Sequence, residues 1–193
     1  MTTITNHDVI VNLINALRAN GNYCAAIHVQ KAAYLLQELC GKPLGLTFIM
    51  HSDGPHSFDL SEQISMLIAY EVLEQESNPP YGPRLCIKNT NKVVSVNNKK
   101  IEKDILFVAT QVGSKNIDVL EKLTSALFIV KREKNNIDLN YLAQELHECR
   151  PHISLADASL YLSAINSLKQ SLNQKINKNL HKKIHKTAQH AAT

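Results

Sequence analysis

The stretch Cys24–Cys40, CAAIHVQKAAYLLQELC, decides the fold. At helical spacing Val29, Ala32, Ala33, Leu36 and Cys40 fall on one side, while Ile27, Tyr34 and Leu35 fall on another. A helix that is apolar on several faces needs neighbours all around it, so this segment reads as the central, mostly buried helix of a helical domain. Lys31 stands inside it. A buried ammonium would need an acid partner, so Lys31 is expected to snorkel from the helix edge, its stem on apolar surface and its charge in water.

Upstream, Ile10, Leu13, Ile14 and Leu17 recur at i, i+3, i+4, i+7, which predicts a helix closed by ANGN (19–22). Downstream, GKPLG stops the central helix and LTFIM (46–50) reads as a short strand. The segment FIMHSDGPHSFDLSEQ (48–63) then collects His51, Asp53, His56 and Ser57 around Gly54-Pro55. Two histidines and a carboxylate suggest a metal, but His-x4-His across a Gly-Pro pair is not the one-face arrangement of helical zinc sites. No third strong ligand is near unless Cys24 or Cys40 folds in. A Ser/His/Asp triad is defined by geometry that spacing does not supply. The segment therefore reads as a structural turn of Gly54, Pro55 and Ser57, with Asp53 and His56 exposed for contact. Ser57 serves as N-cap of a third helix, and Asp59 and Glu62 lie where the helix dipole favours negative charge. No catalytic residue, metal or cofactor is expected.

SNPPYGP (77–83) reads as the clearest break in the chain. Beyond it, RLCIK and VVSV, separated by NTNK, predict a hairpin with Leu85, Ile87, Val94 and Val96 inward and Arg84 and Lys88 outward. Helices follow over 98–111 and 117–131 and from Asp138, and RPHI (150–153) interrupts them. SLAD (154–157) is a capping-box variant opening a helix whose inner face is Ala158, Tyr161, Leu162 and Ile165. Past Leu168 only a thin ladder remains, Leu172, Ile176, Leu180 and Ile184, among Lys175, Lys178, Lys182, Lys183 and Lys186. Such a stripe docks on a partner, a second copy included, or frays. The expected organisation is a helical domain over 1–168 and a basic amphipathic tail over 169–193. The fold class is mainly α (α+β), with a small antiparallel sheet or hairpin, winged-helix-like, and a C-terminal basic helix.

At 193 residues the chain can withdraw roughly 70% of its unfolded surface from water without staples. Its four cysteines are widely spaced, which predicts free thiols and suits a reducing cytoplasm. The N-terminus has no basic region or cleavage site of a secretory signal. The longest wholly apolar runs, ILFVA and ALFIV, are too short for a bilayer, so a cytoplasmic protein without membrane contact is expected. The net charge of +4 is polarised: residues 43–83 hold six acids and neither Lys nor Arg, whereas residues 151–193 hold six bases and one acid.

VQKAAYLLQELCGKPLGLTF followed by GPHS resembles the Leu-Gln-Lys-x-x-Tyr helix and Gly-Pro-[aromatic]-Ser turn of the YwgA-like proteins. These belong to the wider Panacea group, which includes the SocA-type antitoxins. LEKLTSALFIVKRE, RPHIS and ASLYLSAINSL resemble that family's C-terminal half, so the resemblance spans roughly 24–168. It places the family's Gln-Lys on Gln30 and Lys31, its tyrosine on Tyr34, and its Gly-Pro and Ser on Gly54, Pro55 and Ser57. Asp53 and His56 replace aromatic residues usual in the family, and Arg150 replaces a lysine. The resemblance implies a mainly helical domain that binds another protein, toxin-like in character, and either blocks it or delivers it to a protease. The expected partner surface comprises Lys31 and Tyr34, which match the family's motif, with Asp53 and His56 of the turn and Asp59 and Glu62 of the acidic region 43–76; the basic hairpin or tail would provide another.

The alternative is a winged-helix-like nucleic-acid-binding regulator using Arg84, Lys88, Lys92, Lys182 and Lys183. The helix after Gly54-Pro55 is acidic and would be repelled by phosphate. The helix from Ser154 has no base before Lys169, so neither is suited to read a major groove. The opposite patches also allow head-to-tail self-association.

Overall fold

Thr5 begins the first helix, α1 (Asn6–Ala19), through a capping box. Its hydroxyl accepts from the Asp8 N–H at 3.2 Å, and the Asp8 carboxylate accepts from the Thr5 N–H at 2.9 Å. The computed structural model describes residues 5–90, 96, 98–134 and 138–190, the side chains of 175–190 excepted. Ile10, Leu13, Ile14 and Leu17 are all buried, as the periodicity requires, where α1 packs on α2 (Ala26–Glu38) and α4 (Lys99–Val112).

The α2 helix is the centre of the molecule. Val29, Ala32, Ala33, Tyr34, Leu35 and Leu36 are buried, and so is Lys31 at 1% exposure, which corrects the expectation of a snorkelling side chain. After α2 the chain forms β1 (Ile49–His51) and β2 (Gly54–His56), an antiparallel hairpin in the register Ile49↔His56, Met50↔Pro55, His51↔Gly54. The strand expected at 46–50 is thus displaced toward its C-terminal end. The reversal itself falls on Ser52-Asp53, and the Gly-Pro pair stands on the returning strand. Ser57 caps α3 (Phe58–Ala69), its Oγ accepting from the Leu60 N–H at 3.3 Å.

Strand β3 (Leu73–Glu76) pairs antiparallel with β4 (Arg84–Ile87), from Leu73↔Ile87 to Glu76↔Arg84. SNPPYGP is therefore the connection within a hairpin. RLCIK takes its partner from upstream, since Leu73 and Leu85 are both buried in the core while Glu76 and Arg84 close the pair with a 2.7 Å ion pair. Residues 91–95, with most of the expected VVSV strand and Lys92, lie outside the described residues.

Asparagine caps α4 (Asn98) and α5 (Ile117–Arg132; Asn116), and Asp138 caps α6 (Leu139–Cys149). The α5 helix packs on α2, β2, α6 and α7 (Leu155–His190) and buries Leu120, Leu123, Ala126, Leu127 and Ile129. Ser154 accepts from the Asp157 N–H at 3.1 Å, while the Asp157 carboxylate reaches Lys122 of α5 at 3.2 Å. The α7 helix has 36 residues, about 54 Å of axis, and continues through position 168 without a break. Ala158, Leu162, Ile165 and Leu172 are its buried anchors. The side chains of the expected ladder beyond Leu172 lie outside the described residues.

The fold is mainly α with small antiparallel sheets. Its cysteines are free thiols, and among the described residues no helix is long and apolar enough to cross a membrane.

Candidate docking surface

Two consecutive side chains of α2 grip the segment that follows it. The Gln30 amide both accepts from the Ser57 N–H at 2.9 Å and donates to the Ser57 carbonyl at 2.8 Å. Lys31 Nζ donates to the Pro55 carbonyl at 2.9 Å. One turn on, Tyr34 packs its ring edge-on against Phe48 at 4.9 Å between centroids. Their spacing puts Gln30, Lys31 and Tyr34 on neighbouring parts of one helix surface, and that surface faces the β1–β2 hairpin.

A second grip comes from the break between α6 and α7. Arg150, 8% exposed, donates through Nη1 to the His51 carbonyl at 2.7 Å and through Nη2 to the Ser52 carbonyl and the Glu121 carboxylate. His152 Nε2 lies 2.7 Å from the same Glu121 oxygen. At Gly54, φ is +86° and a Cβ would stand 3.0 Å from Ser125 Oγ and 3.4 Å from Glu121 Cγ, so the strand lies directly on α5. The hairpin backbone is held by cations from two directions, its carbonyls accepting from groups that are themselves buried.

Burial lowers the Lys31 ammonium from its ordinary 10.5 to about 8, against the favourable but more distant charges of Asp53 and Glu121. Among the described residues no carboxylate forms an ion pair with it. From pH 8 to 10.5 the unfolded chain therefore holds a proton that the folded chain does not, and this group's contribution to stability rises with pH. Cys24 and Cys40, raised to about 12 by burial, act in the opposite sense: their contribution is lost as pH climbs from 9 toward 12. Comparison with Lys31→Met isolates the lysine, because both proteins carry the same thiols. Urea unfolding at pH 7.5 and pH 9.0 should show wild type gaining about 1 kcal/mol on the variant between the two. A constant difference would mean that the ammonium is not desolvated.

The outer side of the hairpin is different in character. His51, His56 and Phe58 pack against one another, Phe58 edge-on to both histidines, with centroids 5.4 Å apart for the tilted histidine pair and 5.1 Å for His56 and Phe58. Burial, then the charges of His51 and Lys31, lower the His56 imidazole below its ordinary range. Phe58 is 63% exposed and Ile49 45%. Asp53, Asp59 and Glu62 are exposed beside them, Asp59 accepting from the Thr47 N–H at 3.2 Å. Among the described residues no three His, Cys, Asp or Glu side chains converge as metal ligands would.

No family model, curated protein or solved structure matches this chain. The geometry alone sorts the residues singled out in the sequence. Asp53 and His56 neighbour one another across the β1–β2 turn, while Asp59 and Glu62 are exposed on the first turns of α3. Lys31 and Tyr34, at 1% and 2% exposure, lie beneath the hairpin as supports, which corrects their assignment to a contact surface. Gly54, Pro55 and Ser57 form the returning strand and the cap of α3. Arg84 and Lys88 are engaged by Glu76 and Glu71 at 2.7 and 2.8 Å. Lys92 lies outside the described residues, as do the side chains of Lys182 and Lys183. The sequence reading gave no role to Arg150, Glu121 or the exposed Phe58. For Arg150 the available signal was a lone arginine at the point where a strongly amphipathic helix stops.

Proposed function

We propose that this chain is a non-enzymatic, antitoxin-like binding protein of the cytoplasm that neutralises or delivers a partner protein by direct contact. The contact face is the tip of the β1–β2 hairpin with the start of α3. One observation carries the reading: a hairpin fixed from below by buried Lys31, Gln30 and Arg150 exposes Ile49, and the exposed Phe58 at the start of α3 packs against its two histidines. Loops held on a rigid scaffold suit recognition, and an aromatic anchor with a charged surround is the usual make-up of a protein-binding hot spot. Residues 43–83 contain no Lys or Arg, so the partner offers a basic rim around an apolar notch. The resemblance to the Panacea group supports a toxin-like protein as that partner.

Against the nucleic-acid alternative, the two described bases of the β3–β4 hairpin already face acids across the strand pair, which reduces the charge left for phosphate.

Co-expression with the product of the adjacent reading frame should restore growth and yield a complex; absence of both overturns the reading. Within that complex Phe58→Ala should cost about 2 kcal/mol, a roughly thirtyfold rise in Kd by calorimetry, with the fold's own unfolding midpoint unchanged. A gel shift that weakens steeply between about 50 and 200 mM salt and vanishes on deleting residues 172–193 would instead support the regulator.

A further inference from the structure

We propose that the cleft between the end of α5, the start of α6 and the middle of α7 binds an amphiphilic organic anion, a carboxylate carried on a medium-length apolar chain. The cavity measures about 370 Å³. That is within the range of small-molecule sites and too small to seat a helix with anchors at successive turns. Val130, Leu142 and Leu162 supply an apolar lining, while Lys131, Lys134 and Lys169 supply cationic groups. Among the described residues no acidic side chain lines it.

The charges are poorly compensated. Lys131 meets Glu38 at 3.3 Å, but Lys134 and Lys169 form no ion pair among the described residues. Lys169 is half-buried on α7, and burial together with the charge of Lys131 holds its ammonium below the ordinary lysine range. An anionic head placed among these ammonium groups relieves their repulsion, and an apolar body covers surface that water now wets, including Leu139 at 37% exposure. Both parts of the ligand are required. A bare anion leaves the apolar wall uncovered, and a neutral chain leaves the lysines opposed.

The site is separate from the hairpin face. Glu121, in the hairpin clamp, and Val130, in the cleft, stand about 13 Å apart along α5, so this inference does not rest on the proposed function.

Isothermal titration of the full chain at pH 7.5 with decanoate, kept below its micelle concentration, tests the assignment, with acetate and decanol as the matched anion and chain. Saturable one-site binding of decanoate, at least tenfold tighter than either control, is expected. Lys134→Glu and Lys169→Glu should each weaken it about tenfold, with circular dichroism and melting unchanged. Lys169→Met, which keeps the apolar stem, serves as a second variant and should weaken decanoate binding without strengthening that of acetate. No saturable decanoate binding, equal binding of decanol or acetate, or decanoate binding indifferent to all three variants overturns it.

Discussion

Arg150→Ala is expected to lower the free energy of unfolding by about 3 to 5 kcal/mol, among the largest losses a single substitution in this chain can cause. The side chain is almost fully buried and serves three acceptors, the carbonyls of His51 and Ser52 and the carboxylate of Glu121. Removing it leaves Glu121 with the exposed His152 ring and the more distant charge of Lys31, and takes the donors from two hairpin carbonyls. The loss is in the pairing, so Glu121→Gln should cost less alone, and the double variant should be more stable than the sum of single effects predicts. Urea unfolding of the four proteins measures this coupling. Additive losses would show that Arg150 acts through packing and not through Glu121.

Gly54→Ala should cost about 2 to 3 kcal/mol, from two separable sources. The first is backbone: at φ +86° a Cβ is strained wherever the side chain points. The second is the α5 surface, where that Cβ would meet Ser125 Oγ at 3.0 Å. Combining it with Ser125→Ala, which removes that oxygen, should restore the steric part and leave the backbone part. If the double variant is no better than Gly54→Ala, the strand has already shifted off α5 and the cost is conformational alone. Either substitution in the clamp should also weaken partner binding beyond its effect on stability, because it loosens the backbone that presents Phe58.

Most of the helices were readable because they carry an apolar period and a capping side chain; α2 opens at Ala25 without a side-chain cap and was readable from its apolar faces alone. Ile10 to Leu17 and Ala158 to Ile165 needed nothing beyond their spacing, and Ser57 and Asp138 announced α3 and α6. The strands were less readable because three or four residues hold too few alternations to fix a register. RLCIK could be assigned to a strand but not to its partner, since Leu73–Glu76 lies across a proline-rich connection that looks like a boundary.

Lys31 was misplaced for a physical reason. A lysine in an apolar helix is tolerable at the edge or when paired, and what satisfies this one is a backbone carbonyl twenty-four residues away, which no local pattern encodes. The role of Arg150 was hidden for the same reason, as its acceptors lie 29 positions upstream at Glu121 and 98 and 99 positions upstream at Ser52 and His51. Of the proposed docking face, the carboxylates could be read because charge does not depend on neighbours. The exposed Phe58, its proposed anchor, could not, because an aromatic next to a cap reads equally well as core.

Pro55 has no N–H to give, and its one carbonyl is already engaged by Lys31. An incoming extended peptide seeking to lengthen the two-stranded sheet along that side would find neither a donor nor a vacant acceptor at its midpoint. The lysine that anchors the hairpin thus also occupies the acceptor through which an added strand would pair on the β2 side.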